Sequence, residues 1–319
     1  MKYDLTTFGE AMVRISIRPG RTLANADRAD LHCGGAEANT AVALARLGMK
    51  TAWVSRLGDN ALGRRVAGDV ARHGVDVSGV VWSEKDRVGT YFVEFAAAPG
   101  AASVLYDRKH SAASKLDAGD LPWDLLLDTR ILHLTGITPA LSRACRQASA
   151  AARARARERR VPVSFDVNYR SRLWSRKTAA RVLTPLLRKV ALLIVTEEDA
   201  ATLFGIGGAA EDAVCELRER FRPGAAVMTL GARGAIAWDG KEMRTEPGFG
   251  GIEAIDRVGA GDAFAAGLIF GWLGGDLSRG LKYGMAASAL KMGQRGDQFW
   301  SGRAEVEQLL LSRSPAIRR

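Results

Sequence analysis

Short apolar runs, each followed by a longer amphipathic stretch, recur along nearly the whole chain. That alternation constrains the fold more than any other feature. A near-continuous apolar strand must be covered on both faces, and an amphipathic helix after it supplies the cover. The pattern predicts an α/β fold in which helices sandwich a mostly parallel sheet. Strands are expected at Leu5–Phe8, Thr51–Ser55, Ile131–Leu134, Val161–Phe165, Leu192–Val195, Ala226–Thr229 and Ala235–Trp238. Helices are expected at Ala36–Leu47, Ala61–His73, Leu141–Glu158, Lys177–Val190, Glu197–Phe204, Ala210–Arg220, Ala263–Leu273, Arg279–Lys291 and Arg303–Leu311.

Two stretches break the alternation. Met12–Ile17 is strand-like with no helix after it, and Thr90–Phe95 with Ser103–Asp107 reads as a hairpin around Ala98-Pro99-Gly100. They predict a small separate sheet, set over the ligand-binding carboxyl ends of the main strands as a lid. The expected organisation is one α/β domain over 1–312, a lid from about 12–33 and 88–108, and a basic, disordered tail at 313–319.

Composition narrows the function classes. Lys and Arg number 46 against 35 Asp and Glu, a net charge of +11. The excess gathers in Arg153, Arg155, Arg157, Arg159 and Arg160 and in the tail. The first group is flanked by alanines and interleaved with no aromatic residue, so it reads as a solvated helix face rather than a nucleic-acid surface. Cys33, Cys145 and Cys215 are odd in number and far apart, which argues against a disulfide framework. The N-terminus runs through Glu10 and Arg14 without the form of a signal peptide. The longest apolar run, Ala263 to Gly275, falls short of the ~20 residues a bilayer requires. A cytoplasmic protein with no nucleic-acid or membrane partner is expected.

Several chemical motifs are missing. No Gly-x-x-x-x-Gly-Lys-Ser/Thr, Gly-x-Ser-x-Gly or His-Glu-x-x-His occurs. Gly205 to Ala210 mimics a dinucleotide fingerprint, but it follows a helical segment and reads as a helix-ending turn. His32, His73, His110 and His133 lack metal-ligand spacing.

Asp256-Arg257-Val258-Gly259-Ala260-Gly261-Asp262 is different, because its glycines precede an apolar helix. Backbone N–H groups bared by glycine and a helix N-terminus together suit an anion, including the charge on a transferring phosphoryl group. Asp262 beside that site could take a hydroxyl proton. On these residues alone, a glycine turn with Asp as the helix cap is an equal reading.

The segment resembles the C-terminal signature of the ribokinase (PfkB) family of sugar kinases, and the family's N-terminal signature is matched too. Gly34-Gly35-Ala36-Glu37-Ala38-Asn39 opens a helix ending Ala45-Arg46-Leu47-Gly48, and Arg56-Leu57-Gly58-Asp59, Gly63 and His73-Gly74-Val75 follow. The resemblance covers nearly the whole chain. It implies a ribokinase-like three-layer fold with a β-sheet lid, ATP as phosphoryl donor and Mg²⁺ as counter-ion, with room for a monovalent cation such as K⁺. It makes Asp262 the catalytic base and the backbone of Gly259, Ala260 and Gly261 the anion hole. Thr229, Gly231 and Gly234 resemble the nucleotide-side loop, and Ala287 lies on the segment resembling the adenine-flanking helix. The sequence departs from the family in two places. Arg257 replaces a usual Thr, and Thr196-Glu197-Glu198-Asp199 replaces an Asn-x-x-Glu near the metal, leaving Glu198 and Asp199 as candidate oxygen donors through water.

Within the family, Arg14 stands where a hydroxyl-binding Asp is expected. Gly-Gly-Ala-Glu, the lid stretch Tyr106-Asp107-Arg108-Lys109, Asp166-Val167-Asn168-Tyr169-Arg170 with Leu173-Trp174, and Arg295-Gly296-Asp297 together resemble the 2-keto-3-deoxygluconate kinases. That resemblance implies a sugar-acid substrate contacted by Gly34, Gly35, Asn39, Tyr91, Tyr106, Arg108, Arg170, Asp262 and Asp297. The carboxylate would sit near Arg108 and Arg170, and the 6-hydroxyl would face Asp262. Fructokinase-like or ribokinase-like activity, and a non-catalytic sugar-binding protein, are the alternatives. A homo-oligomer, as a dimer through the lid, is the expected assembly.

Overall fold

The structure is a computed structural model that describes residues 1–95 and 103–312. Its strands are β1 (Tyr3–Phe8), β2 (Met12–Ile17), β3 (Ala29–Gly34), β4 (Thr51–Val54), β5 (Arg56–Gly58), β6 (Val81–Ser83) and β7 (Thr90–Glu94). They continue with β8 (Ser103–Asp107), β9 (Thr129–Thr135), β10 (Val163–Asp166), β11 (Leu192–Thr196), β12 (Ala225–Thr229), β13 (Ala235–Trp238) and β14 (Met243–Glu246). The helices are α1 (Ala36–Arg46), α2 (Ala61–Ala71), α3 (Trp123–Leu127), α4 (Thr138–Leu141), α5 (Arg143–Glu158) and α6 (Arg176–Leu187). After these come α7 (Glu197–Phe204), α8 (Ala210–Phe221), α9 (Ala260–Leu273), α10 (Leu277–Met292) and α11 (Arg303–Ser312).

Eight strands form the main sheet in the order β14-β13-β12-β11-β10-β9-β1-β4. The pairings from β12 through to β4 are parallel, and β13 and β14 run antiparallel at one edge. Strand pleating explains why the sheet needs cover on both sides. In β11, Leu192 and Ile194 enter one apolar core while Leu193 and Val195 enter the other. Residues of α1, α2, α9, α10 and α11 fill the first core, and residues of α5, α6, α7 and α8 fill the second.

Helix α9 is apolar on every side because it is enclosed. Gly267 and Gly271 let it approach α10 closely; a Cβ there would meet α10 backbone at 2.4 and 2.1 Å.

A second sheet has the order β3-β2-β7-β8 and is built from the two irregular pieces of chain. The predicted α/β class, with a mostly parallel sheet and a smaller one, matches this architecture. The expected hairpin is present as antiparallel β7 and β8, but its tip at Ala98–Gly100 and the tail 313–319 lie outside the described residues.

Most of the boundaries that differ from expectation do so by one or two residues, and the expected Leu141–Glu158 helix begins at Arg143, because Ser142 is extended and caps α5. Three further differences have a plain cause or bear on the site. β10 starts at Val163 rather than Val161, since Pro162 has no N–H for the ladder. α6 stops at Leu187, and Lys189 then takes a positive φ of 55°. α9 begins at Ala260 rather than Ala263, so Gly261 and Asp262 lie inside its first turn.

In this sheet the chain leaves β1 toward β4 on one side and later fills β9 to β14 on the other. That reversal opens a crevice beyond the carboxyl ends of the strands, where open α/β sheets bind ligands.

Candidate active site

A cavity of about 370 Å³ occupies this crevice. Glu10 follows β1, Ile137 follows β9, Asn168 and Arg170 follow β10, and Asp199 follows β11; all of them line it. The second sheet contributes Met12, Gly34, Tyr91 and Tyr106, and the start of α9 contributes Gly259, Gly261 and Asp262.

Gly259 caps α9 at φ 88°. That left-handed conformation favours glycine, and a Cβ would lie 2.0 Å from the Asp297 carbonyl oxygen. The turn sets the start of α9 against the cavity. One part of the expected anion hole needs correction. The Ala260 amide donates to the Arg257 carbonyl at 3.2 Å, so it is committed within the turn. The Gly261 and Asp262 amides have no main-chain acceptor among the described residues and remain for an anion.

Asp262 is buried, and its carboxylate accepts a 2.7 Å hydrogen bond from Asn39 Nδ2 on α1. Desolvation pushes its pKa up to about 7; the Asn39 hydrogen bond and the Arg170 charge oppose the rise, and Asp297 and Glu37 add to it. Asp166, at the end of β10, is a site residue that the sequence reading did not assign. Burial, with the Asp262 and Asp199 charges, raises its pKa to about 8 against the pull of Arg170. Burial also raises the pKa of Asp199, which accepts a 3.2 Å hydrogen bond from the Tyr169 amide.

Behind the cavity wall lies a charge network. Arg14 is fully buried and does not reach the cavity. Its guanidinium donates to Asp297 Oδ1 at 2.6 Å and to Asp256 Oδ2 at 2.5 Å. Burial works to lower its pKa, but the two carboxylates overcome that and hold it above the ordinary value. The other Asp297 oxygen accepts from Tyr91 Oη at 2.6 Å. Gly34 must be glycine, since a Cβ would meet Tyr91 Oη at 2.1 Å and Asp297 Oδ2 at 2.3 Å. Asp256 also accepts from the Val258 and Gly296 amides, which fixes the start of the 256–262 segment. Arg14 therefore positions cavity residues rather than replacing a hydroxyl-binding Asp.

The two candidate carboxylate-binding arginines differ. Arg108 is paired to the buried Glu10 through Nε at 2.7 Å and through Nη2. Its charge is largely spent there, and Glu10 was missed because that partner is 98 residues away. Arg170 lines the cavity with no carboxylate partner among the described residues, donating only to the Tyr169 carbonyl at 3.1 Å. Arg257 also lines the cavity as an exposed cation. Tyr106 stacks on Tyr91 at 5.6 Å between ring centroids.

Among the metal candidates, Asp199 lines the cavity and Glu198 does not. No group of three His, Cys, Asp or Glu side chains converges as a direct metal cage among the described residues. Asn168 Oδ1 is buried without a hydrogen-bond partner and belongs to a cavity-lining residue. Oxygen donors of this kind suit a hard cation held chiefly through water and ligand oxygens.

Of the nucleotide-side residues, Thr229 ends β12 in register with Thr196 of β11, which lines the cavity. Gly231 and Gly234 take φ of 62° and 109° in the following turn. Gly35 and Asn39 line the cavity as expected. Ala287 does not fit the expectation: it is fully buried within the apolar core that α9 and α10 share, and it offers no surface to a ligand.

The profile of the pfkB family carbohydrate kinases matches residues 2–302. The chain belongs to the pfkB family of carbohydrate kinases. It is 35% identical to 2-dehydro-3-deoxygalactonokinase of Haloferax volcanii, over 97% of both chains. It is 33% identical to 2-dehydro-3-deoxygluconokinase of Thermoproteus tenax, over 96% of this chain and 94% of that one. Among solved structures it is similar to 2-dehydro-3-deoxygluconokinase of Thermotoga maritima, with a TM-score of 0.90 and 32% identity, covering 98% of this chain and 99% of the other. As a pfkB carbohydrate kinase, the chain has a ribokinase-like fold. No described helix is long and apolar enough to cross a membrane.

Proposed function

We propose that this pfkB kinase transfers the γ-phosphoryl group of ATP to the terminal 6-hydroxyl of 2-keto-3-deoxygluconate. The observation that carries the reading is one cavity holding Asp262, with its pKa near 7, together with the Arg170 guanidinium, which makes no ion pair among the described residues. Arg matches a carboxylate bidentately, which suits a sugar acid better than a neutral sugar. The similar kinases that act on 2-dehydro-3-deoxy sugar acids support the same class.

In this reading the second sheet is a lid, and Asn39 orients Asp262 toward the acceptor hydroxyl. Asp262 takes the hydroxyl proton as the oxygen attacks phosphorus. The free Gly261 and Asp262 amides, at the positive end of α9, stabilise the charge on the transferring group. Asp297 and Tyr91, held by Arg14, fix the sugar. Mg²⁺, when bound with ATP, would supply charge neutralisation, and Asp166, Asn168 and Asp199 are the oxygen donors that would hold it through water. Thr229, Gly231 and Gly234 lead from the cavity toward a groove of about 580 Å³ lined by Gly248, Phe249, Lys282 and Leu310, which would take the base.

The test is ADP release over a panel of 2-keto-3-deoxygluconate, its galacto epimer, gluconate, fructose and ribose. The reading expects the keto-deoxy acids to exceed the neutral sugars in kcat/KM. Arg170→Ala should raise KM for the acid by about 10–100-fold, the scale of a lost charge-assisted hydrogen bond, and raise KM for any neutral sugar far less. A preference for fructose or ribose would overturn the assignment.

A further inference from the structure

Lys291 is a fully buried cation that the proposed reaction does not use. It lies in the last turn of α10 with no exposed surface. Its ammonium donates to two main-chain carbonyls, Gln294 O at 3.1 Å and Asp256 O at 3.4 Å. Those oxygens belong to two segments that meet here. Asp256 opens the 256–262 segment that presents the anion site, and Gln294 follows the end of α10. The same junction is closed by the Ile255 and Asp256 amides, which donate to Met292 O at 2.8 and 3.1 Å.

The surroundings balance in charge. Arg14 and Lys291 are buried with Asp256 and Asp297, two cations with two carboxylates. Burial lowers the Lys291 pKa, while the Asp256, Asp297 and Asp262 charges oppose the fall. Arg14 grips the Asp256 side chain, and Lys291 grips its carbonyl. The start of the anion-site segment is thus held by cations from two directions.

A compact monovalent charge resting on backbone carbonyls is also how proteins hold dehydrated K⁺. A lysine ammonium is a point charge of the same sign that a covalent stem can fix in that place. We infer that Lys291 is a tethered monovalent cation, docking the 256–262 segment on the end of α10, so that ATP binding and turnover need no free K⁺ or Na⁺. This inference rests on the phosphoryl-transfer reading, but it can be read without any acceptor.

The experiment measures Mg·ATP affinity by calorimetry, with the full chain in choline chloride, KCl or NH₄Cl at equal ionic strength. Steady-state turnover is added with whichever acceptor is active. Wild-type affinity and turnover should agree within about twofold across the salts, well under the tenfold that 1.4 kcal/mol represents. Lys291→Ala opens space at the carbonyls. In choline it should bind ATP about 10–100-fold more weakly, with K⁺ or NH₄⁺ recovering most of the loss. Lys291→Met keeps the length without the charge and leaves less room, so it should show the loss and little recovery.

Wild-type protein that gains tenfold or more from K⁺ would overturn the inference, and that arm does not depend on any variant folding. So would a folded Lys291→Ala protein whose loss no cation recovers, the mark of a lysine that serves stability alone. An inactive acceptor panel with intact, salt-independent ATP binding would instead count against the sugar-acid reading and leave the tethered cation supported.

Discussion

The Asn39 side-chain amide donates a 2.7 Å hydrogen bond to the Asp262 carboxylate, joining two helices whose partners are 223 residues apart in sequence. The bond favours the ionised carboxylate and works against the desolvation that lifts its pKa to about 7. Asn39→Ala removes it, so the Asp262 pKa should rise further. The acidic limb of kcat/KM against pH should then move to higher pH. The variant should lose more activity at pH 6.5 than at pH 9, which a full pH profile against wild type would show.

The same carboxylate predicts a trade between activity and stability. A carboxyl whose folded pKa lies above its unfolded value contributes stability below the ordinary carboxylate range, and that stability is lost as pH rises through the folded pKa. For Asp262 the window runs from about 4 to about 7. Asp262→Asn escapes the cost of ionisation while keeping an oxygen for Asn39. Its gain over wild type should be near zero at pH 4 and grow to as much as ~4 kcal/mol above pH 7, the linkage limit for a shift of this size. Urea unfolding at pH 5 and pH 8 would read the difference.

Arg14 makes a different prediction. Removing one member of a buried ion network leaves its partners as unpaired buried charges, at a cost of ~3–5 kcal/mol. Arg14→Met should show that loss in urea unfolding, because Asp256 and Asp297 lose their 2.5 and 2.6 Å partners together. It should also raise KM for the acceptor, since Asp297 would no longer be fixed in the cavity wall.

Gly259→Ala should fold with a cost of ~1–2 kcal/mol for a left-handed non-glycine residue, and more from its Cβ approaching the Asp297 carbonyl. The strain falls on the turn that sets the start of α9 against the cavity. Turnover should therefore drop more than thermal stability does, in parallel kinetic and melting measurements.

The sequence was most legible where local pattern decides structure. β1, β9, β11, β12 and β13 are apolar runs covered by helices, and each was readable from its own residues. β14, with the sequence Met-Arg-Thr-Glu, and β3, with Ala-Asp-Leu-His-Cys-Gly, were not, because an edge strand needs neither alternation nor a continuous apolar run. In the site, Gly259, Gly261 and Asp262 stood out because their spacing is itself the chemistry. The Arg14 network could not be read that way. Its partners are 242 and 283 residues distant, and only the folded sheet order brings them together. Asp166 drew no assignment because its environment comes from the ends of β10 and β11 meeting the start of α9. Arg108 read as a free cation because nothing near it in sequence announces Glu10, and Ala287 read as nucleotide-facing because the helix face turned toward α9 was not evident.

The central claim is that Asp262 removes the acceptor proton. Its most direct test is the turnover number of Asp262→Asn with 2-keto-3-deoxygluconate, measured beside its Mg·ATP affinity. Loss of the base should lower kcat by a factor on the order of 10²–10⁴, with ATP affinity near that of wild type. A folded Asp262→Asn protein that turns over at the wild-type rate would contradict it.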